Sequence, residues 1–470
     1  MIAALQRSRA WNRLLSALIV VATCAAAFYL GAHPSRRWLM LAVASLGGVA
    51  LLSQPALGLY ALVAAALVVP LEFGTGTEVK LNVASLLVPA LLVLWVLDMI
   101  RRRELRLVPS RTNWPLLLFL LAGLLSLLVG NAFWDPVVPR SSRFIIVQLA
   151  QWAIFAFSAI AFWLAGNWLR DEASLQRLTR LFLALGGGIA ILRVLPGISG
   201  LTGRFVTIAF IRAPFWVLLA ALAGGQLLWN DRLTSGWRAF LWATLGAVFV
   251  YAFRQQQEAA SNWVGVAAVG GVLFWLRFPR VRPLVVVMAL IMLGTGIFFP
   301  AVYNFVGGDV EWQISGGSRV VLIGRVVEVT MRNPLTGLGP ASYRPYANLK
   351  PLKYLNAFWV NPLISSHNNY VDLFAHVGLL GLAIFAWFAA EAGWLGWQQF
   401  RRHTSGFARG YAAGMTAAWV GALVIMLLAD WILPFVYNIG FPGFQASILL
   451  WLFLGGLLTL ERLGNGSAAN

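Results

Sequence analysis

Cysteine is nearly absent: Cys24 stands alone in 470 residues, so neither a disulfide framework nor a cysteine metal site is available. Acidic residues are scarce, 16 against 35 Lys and Arg, which leaves a net charge of +19. That charge does not point to nucleic acid as a partner. The basic residues are scattered between apolar runs, with no soluble domain to carry a binding face. No Asp-x-Asp metal motif and no glycine-rich phosphate loop occurs. No internal repeat or low-complexity stretch stands out, and the alternation of a membrane β-barrel is missing.

What is present is apolar sequence. The chain is 60% hydrophobic with a mean hydropathy of +0.78. Apolar runs of about 17–25 residues recur throughout, each long enough to span a bilayer as a helix. Backbone at that depth must satisfy its own hydrogen bonds, so helices are the expected form. Twenty-two Trp fit anchoring at the membrane interfaces. The reading is an all-α polytopic membrane protein of about 12–14 transmembrane helices, forming a single membrane domain over residues 1–470. The spans fall near 14–32, 38–53, 56–71, 83–100, 114–130, 144–165, 178–195, 205–229, 238–253, 260–276, 283–300, 369–397, 409–430 and 444–460. MIAALQRSRAWNR and the run after it have the outline of a signal peptide. They lack a small-x-small exit before HPSRR, and the segment reads as a retained first helix.

Arginine placement orients the spans. With the N-terminus inside, the segments RRRELR, LRDEASLQR, RFPRVR and FRRHTSGFAR are all cytoplasmic, and both termini lie inside. The opposite face then receives Arg140, Arg143, Arg204, Arg254, Arg319, Arg325, Arg332 and Arg344, with Lys350 and Lys353. Headgroup snorkelling accounts for some of these cations. A cluster of the rest suits an anion such as a lipid-linked diphosphate. One loop on that face is long, residues 301–367, and its mixed aromatic composition predicts a folded insertion with short helices.

Three segments on that face carry chemistry. In GGSRVVLIGRVVEVTMRNPLTGLGP, Gly316 and Gly317 suit a hinge, Ser318 a helix cap and Asn333-Pro334 a helix end. Arg325, Glu328 and Arg332 share one face as an ordinary polar stripe. Arg319 points away from it, toward either an anion or a loop contact. In SSHNNYVDLFAHVGLLGL, His367 stands at the mouth of an apolar helix. At about 100° per residue, Tyr370, Val371, Phe374, Gly378 and Gly381 fall within about 60° of it. The two glycines would let another helix or a lipid chain approach closely. His376 falls on the opposite face. A neutral imidazole can serve as a general base near pH 7, and it can equally be a satisfied polar side chain. In YAFRQQQEAASNW, Arg254 either pairs with Glu258 or presents its guanidinium on the face of His367.

These residues resemble a known family. His367-Asn368, nine residues, then Gly378-Leu-Leu-Gly381 is similar to the His-Asn-x9-Gly-x-x-Gly pattern of the O-antigen ligase superfamily. SRVVLIGRVVEVTMRNPLTGLGPASY resembles that family's arginine, amphipathic helix, Asn/His-Pro and Gly-x-Gly segment. Arg254 sits where the family carries Ser-Arg-Gly, but its neighbours here are Phe253 and Gln255, and GRFVTIAF with Arg204 is a weaker likeness. The clear part covers roughly residues 240–430.

The resemblance implies a GT-C-type glycosyltransferase of the bacterial inner membrane with its active site facing the periplasm. Such a protein takes a glycan from an undecaprenyl-diphosphate carrier without a metal or other cofactor. The acceptor is lipid A-core for a ligase, another carrier-linked repeat for a polymerase, and Ser or Thr for a protein O-oligosaccharyltransferase. Membrane lipids are the remaining partners. The resemblance further implies catalytic roles for His367, Arg254 and Arg319, and substrate-binding roles for Arg204, Asn368, Tyr370, Gly378 and Gly381, with inversion at the anomeric carbon. Between ligase and polymerase the sequence is nearly silent; ligation is favoured because the ligase pattern is matched at each fixed position. A transporter of lipid-linked sugar is the rival from another class. It should show paired broken helices or internal repeats, and neither is evident.

Overall fold

The computed structural model describes Val21 and residues 47–49, 51–77, 79–104, 107–198, 200, 202, 206–257, 259–295, 317–349 and 366–467. Arg204, Glu258, Gly316, Lys350, Lys353 and nearly all of the two expected spans before residue 50 lie outside these residues. The expected insertion at 301–367 is described only over 317–349 and 366–367. The chain divides into two units, Met1–Leu57 and Gly58–Asn470. The candidate site lies wholly in the second.

Helix α1 (Leu57–Val68) leads into a small antiparallel hairpin, β1 (Glu72–Gly74) on β2 (Lys80–Asn82), with Phe73 opposite Leu81. Helices follow: α2 (Val83–Arg102), α3 (Asn113–Ala132), α4 (Phe144–Trp168), α5 (Glu172–Val194), α6 (Ala213–Trp229), α7 (Ser235–Val250), α8 (Ala260–Arg277), α9 (Arg282–Gly294), α10 (Gly317–Thr330), α11 (Tyr343–Asn348), α12 (Asn369–Arg402), α13 (Gly406–Ile425) and α14 (Gly440–Ser467). Their starts are written locally. Asn82 and Ser85 form a reciprocal capping box on α2, and the side chains of Asp171 and Thr234 cap α5 and α7.

Among the described residues, seven helices are long and apolar enough to cross a membrane: α2, α3, α4, α5, α7 with the π-turn Tyr251–Gln255, α12 and α14. The protein is therefore an all-α polytopic membrane protein. Two expected spans are shorter than predicted, α1 with 12 residues and α6 with 17. Two others are joined differently: α8 and the segment after it bend by 103° at Pro279, where a proline cannot continue the helix. This pair forms one broken span or a re-entrant element in place of two separate crossings.

The core is built around the C-terminal helix. The apolar window of α14 is entirely buried, and α14 packs on α4, α6 and α5. A helix apolar on all sides belongs in the interior. Helix α13 packs on α6, α8 and α12. Its Gly410 and Gly414 face Gly225 and Ala221 of α6, and a Cβ on either would press into backbone. Small residues here replace side-chain burial by close backbone approach.

Antiparallel crossings bring many helix ends to one face. Ser126 of α3 donates to the His376 carbonyl of α12 (2.6 Å), and Gln148 of α4 donates to Ser342 (3.0 Å). Gln151 of α4 bonds Pro434 and Val436 between α13 and α14. Trp216 of α6 stacks on Tyr251 at the end of α7 (4.0 Å). Arg140, Arg332 and Arg344, which the arginine count assigned to one face, lie by Trp134, Asp135 and Tyr437 in the connections between helices.

Candidate active site

His367 is not the first residue of a helix. It sits in the turn Ser366–Asn368 ahead of α12, with φ 55°. A non-glycine residue in this left-handed region is uncommon and needs surrounding structure to hold it. Asp372 supplies that hold. Its Oδ1 accepts from the Ser366 backbone N–H (3.0 Å) and from the Ser366 hydroxyl (2.7 Å). The same hydroxyl oxygen accepts from the Asn368 N–H (3.1 Å). Both Asp372 and Ser366 are buried. Asp372 thus fixes the histidine turn from within the first turn of α12, where its charge also meets the positive end of the helix.

Burial pushes the His367 pKa down to about 4, and the Arg319 guanidinium adds to that shift. The imidazole is therefore neutral at pH 7, the form that accepts a proton. Arg319 lies in the first turn of α10, and α10 packs on α12. The structure thus brings together two of the three residues expected to carry catalysis. The polar stripe of α10 is only partly as expected. Arg325 pairs with Glu328 (2.9 Å), whereas Arg332 pairs with Asp135 (2.7 Å), because α10 ends at Thr330 and Arg332 turns away.

The other expected residues are placed differently. Arg254 lies exposed in the π-turn after α7. Arg204 lies outside the described residues, as does Glu258, the partner considered for Arg254. Asn368, expected to orient sugar or histidine, is the N-cap of α12. Its Oδ1 accepts from the N–H groups of Tyr370 and Val371 (3.0 and 3.2 Å), and its Nδ2 donates to the Leu427 carbonyl (3.1 Å). Tyr370 is turned to the protein, its hydroxyl donating to the Leu423 carbonyl (2.8 Å).

The stripe headed by His367 is not formed. The histidine precedes the helix, and α12 breaks at Gly378, where φ is 67° and ψ −171°. Gly378 meets the loop after α10 rather than a lipid or another helix: a Cβ there would overlap the Leu335 carbonyl. Gly381 faces Val377 of its own helix. His376 is buried, and its Nδ1 accepts from the Ala341 N–H (3.2 Å).

Sequence reasoning missed two groups in this region. Asp430, between α13 and α14, is fully buried. It accepts from the Phe435 N–H (2.9 Å) and from Asn438 Nδ2 (2.8 Å). Burial, and then the Asp372 carboxylate, push its pKa up. Arg212, at the start of α6, lies over the Trp431 ring (5.0 Å). Burial disfavours its charge and Asp430 supports it. Its Nε is buried and makes no hydrogen bond within the described structure. The signal in the sequence was faint: each is a lone charge in an apolar context, in IRAP and LLADWILP. By contrast, Arg140 and Arg344 are stacked on Trp134 (5.2 Å) and Tyr437 (4.4 Å).

Asp372 also yields a clean prediction. Both of its bonds to Ser366 use one oxygen, which an asparagine retains. Asp372→Asn is expected to keep most activity in a glycan-transfer assay. Asp372→Ala, which leaves buried donors unmet at a cost of about 1–3 kcal/mol, is expected to lose most of it. Equal loss in both would place the role of Asp372 in its charge.

Fold and site together define a multi-pass helical membrane protein in which the helix carrying Arg319 packs on the helix that follows the His367 turn. Residues 257–386 match the family model described as O-antigen ligase. The match takes in Arg319, His367, Gly378 and Gly381, and it starts just beyond Arg254. No curated protein matches the chain. Ligation or polymerisation of O-antigen is the activity that this family suggests, acting on lipid-linked glycan.

Proposed function

We propose that the protein transfers a glycan from undecaprenyl diphosphate to a hydroxyl of lipid A-core at the periplasmic face of the inner membrane, as a GT-C-type inverting transferase without a metal. The observation that supports this reading is the packing of α10, which carries Arg319, on α12, which follows the His367 turn, inside the segment that matches O-antigen ligase. His367 takes the proton of the acceptor hydroxyl. The oxygen attacks the anomeric carbon opposite the diphosphate, the bond from that carbon to the diphosphate oxygen breaks, and its electron pair leaves with the diphosphate. The configuration inverts. Arg319, with Arg254 and Arg212 as further cations, stabilises the charge that develops on the leaving group, which is usually the larger catalytic contribution. The outward face is inferred from the positive-inside rule.

The test is a gel of surface glycan from the native host lacking this gene, with and without the wild-type copy. Loss of every O-antigen band, with long polymer held on the carrier, supports ligation. Lipid A-core bearing a single repeat means that the protein is a polymerase. An unchanged gel removes both readings.

Arg319→Lys tests the leaving-group role. Lysine keeps the charge but loses the planar fork that grips phosphate oxygens in pairs. A rate loss of about tenfold to a hundredfold is expected, less than the roughly 10²–10³-fold for removing one such donor outright, because the charge remains. Full activity would exclude recognition of the diphosphate by a fork.

A further inference from the structure

A cavity opens at the end of α3. It is about 460 Å³ and is lined by Phe133, Asp135, Arg332, Asn333, Leu338 and Tyr346, among others. That size lies within the range of small-ligand sites, roughly 300–1,000 Å³. We propose that this cavity is a sugar-binding subsite, which grips a pyranose ring of the glycan beside the reacting centre. The inference rests on the glycan-transfer reading and deepens it.

The chemistry of the walls argues for a sugar. A pyranose has an apolar C–H face and a rim of hydroxyls that both donate and accept. Phe133 supplies an aromatic face that is 79% exposed. Beside it, Asp135 Oδ2 pairs with Arg332 (2.7 Å), and Asp135 Oδ1 accepts from the Val137 N–H (3.0 Å). An exposed ion pair contributes at most about 1 kcal/mol to stability. What this one provides is a rigid, planar set of acceptors and donors matched to neighbouring hydroxyls. The guanidinium of Arg332 is held over the Tyr346 ring (5.4 Å). The Tyr346 oxygen accepts from the Asp135 N–H (3.2 Å), so its own hydrogen can point elsewhere.

The floor is firm. Trp134 packs on Tyr346 (5.0 Å) and Phe144 (5.5 Å), with its indole N–H on the Val138 carbonyl (2.9 Å). The mixture of one carboxylate with one guanidinium disfavours a diphosphate, which would have to approach Asp135. The wall is also tied to the reacting helix: the Leu338 N–H donates to the Ala375 carbonyl of α12 (2.9 Å), eight positions after His367 in sequence. A sugar held here belongs to the same glycan chain as the one at His367, and is not the reacting residue itself.

The experiment uses the full-length protein in lipid nanodiscs and the oligosaccharide released from the host's own surface polysaccharide. Saturation-transfer NMR reads contact between protein and ring C–H protons. Wild type and His367→Ala are expected to transfer saturation alike, because the subsite does not need the histidine. Phe133→Ser alters an exposed ring that the fold does not require. It is expected to weaken binding about tenfold, the scale of one aromatic contact, and to raise KM for the carrier-linked glycan. Arg332→Gln, which removes the ion pair, is expected to weaken it further, while inorganic diphosphate does not compete. Equal binding by wild type and both variants, or no saturation transfer at all, would overturn the subsite. An unchanged surface-glycan gel in the deletion strain, with binding intact, would instead overturn the transferase reading and leave the sugar site standing.

Discussion

His367→Ala is expected to lower the transfer rate by roughly 10²–10⁴-fold, the contribution typical of a positioned general base. Alanine also has to occupy φ 55°, so part of any loss could reflect the turn. His367→Asn separates the two causes, because asparagine enters the left-handed region more easily and offers no comparable base. Both variants are expected to lose activity to a similar extent, with unchanged elution from a sizing column. The pH dependence carries the stronger test. The active form is the neutral imidazole, present above its pKa, and that pKa is depressed to about 4 by burial and Arg319. The acid limb of kcat/KM, which reports the free enzyme, should stay flat through pH 6 and fall only toward pH 4. Arg319→Gln removes one of the two depressing influences, so its acid limb should move to higher pH. A wild-type midpoint near 6.5 would mean that His367 titrates as an ordinary imidazole.

The fold class was legible because its cause is local: long apolar runs demand helices in a bilayer. The number of crossings was less so, since apolar composition does not distinguish lipid from protein as the surroundings. Helices α6 and α13 read as spans, yet they are buried against each other and against α8 and α14. His367 and Arg319 were found through a motif and a charge asymmetry, both of which are linear signals. Substrate-binding roles for Asn368, Tyr370 and Gly378 were implied by the family resemblance, and the stripe below His367 assumed one continuous helix through residue 381. The helix starts at Asn369 and breaks at Gly378; Asn368 caps it, the Tyr370 hydroxyl donates to the Leu423 carbonyl, and Gly378 meets the Leu335 carbonyl. Asp430 and Arg212 could not be read in advance. Their neighbours Asp372 and Trp431 come from other elements, and only the folded chain makes the contact.

Gly378→Ala is expected to be the most damaging single substitution for stability. At φ 67° and ψ −171°, Gly378 occupies a region that is essentially closed to residues with a side chain. The break it creates lets the loop Asn333–Gly339 dock on α12. The Leu338 N–H donates to Ala375, the Leu379 N–H to Pro334 and the Leu380 N–H to Leu335, at 2.9, 2.9 and 3.0 Å. Gly337 interlocks from the other side, where an added Cβ would lie 2.5 Å from the Gly378 nitrogen. Backbone strain of about 1–3 kcal/mol and the disturbance of hydrogen bonds worth about 1 kcal/mol each amount to several kcal/mol. That is a large share of the roughly 5–15 kcal/mol that holds a typical protein folded. Beyond the break, Leu379–Arg402 still rises about 36 Å at 1.5 Å per residue, enough to cross a hydrocarbon core of about 30 Å. The bend is therefore not needed for crossing. It serves the docked loop, which directly follows α10 and so sets where Arg319 stands relative to His367. Fluorescence-detected size exclusion after a heat ramp should show Gly378→Ala melting far below wild type, with activity lost. Gly324→Ala, on the open side of α10 where an added Cβ meets nothing within 4 Å, should melt at or above wild type through better helix propensity. Comparable melting of wild type and Gly378→Ala would show that α12 can straighten without loss, and that Arg319 is positioned by something other than this loop.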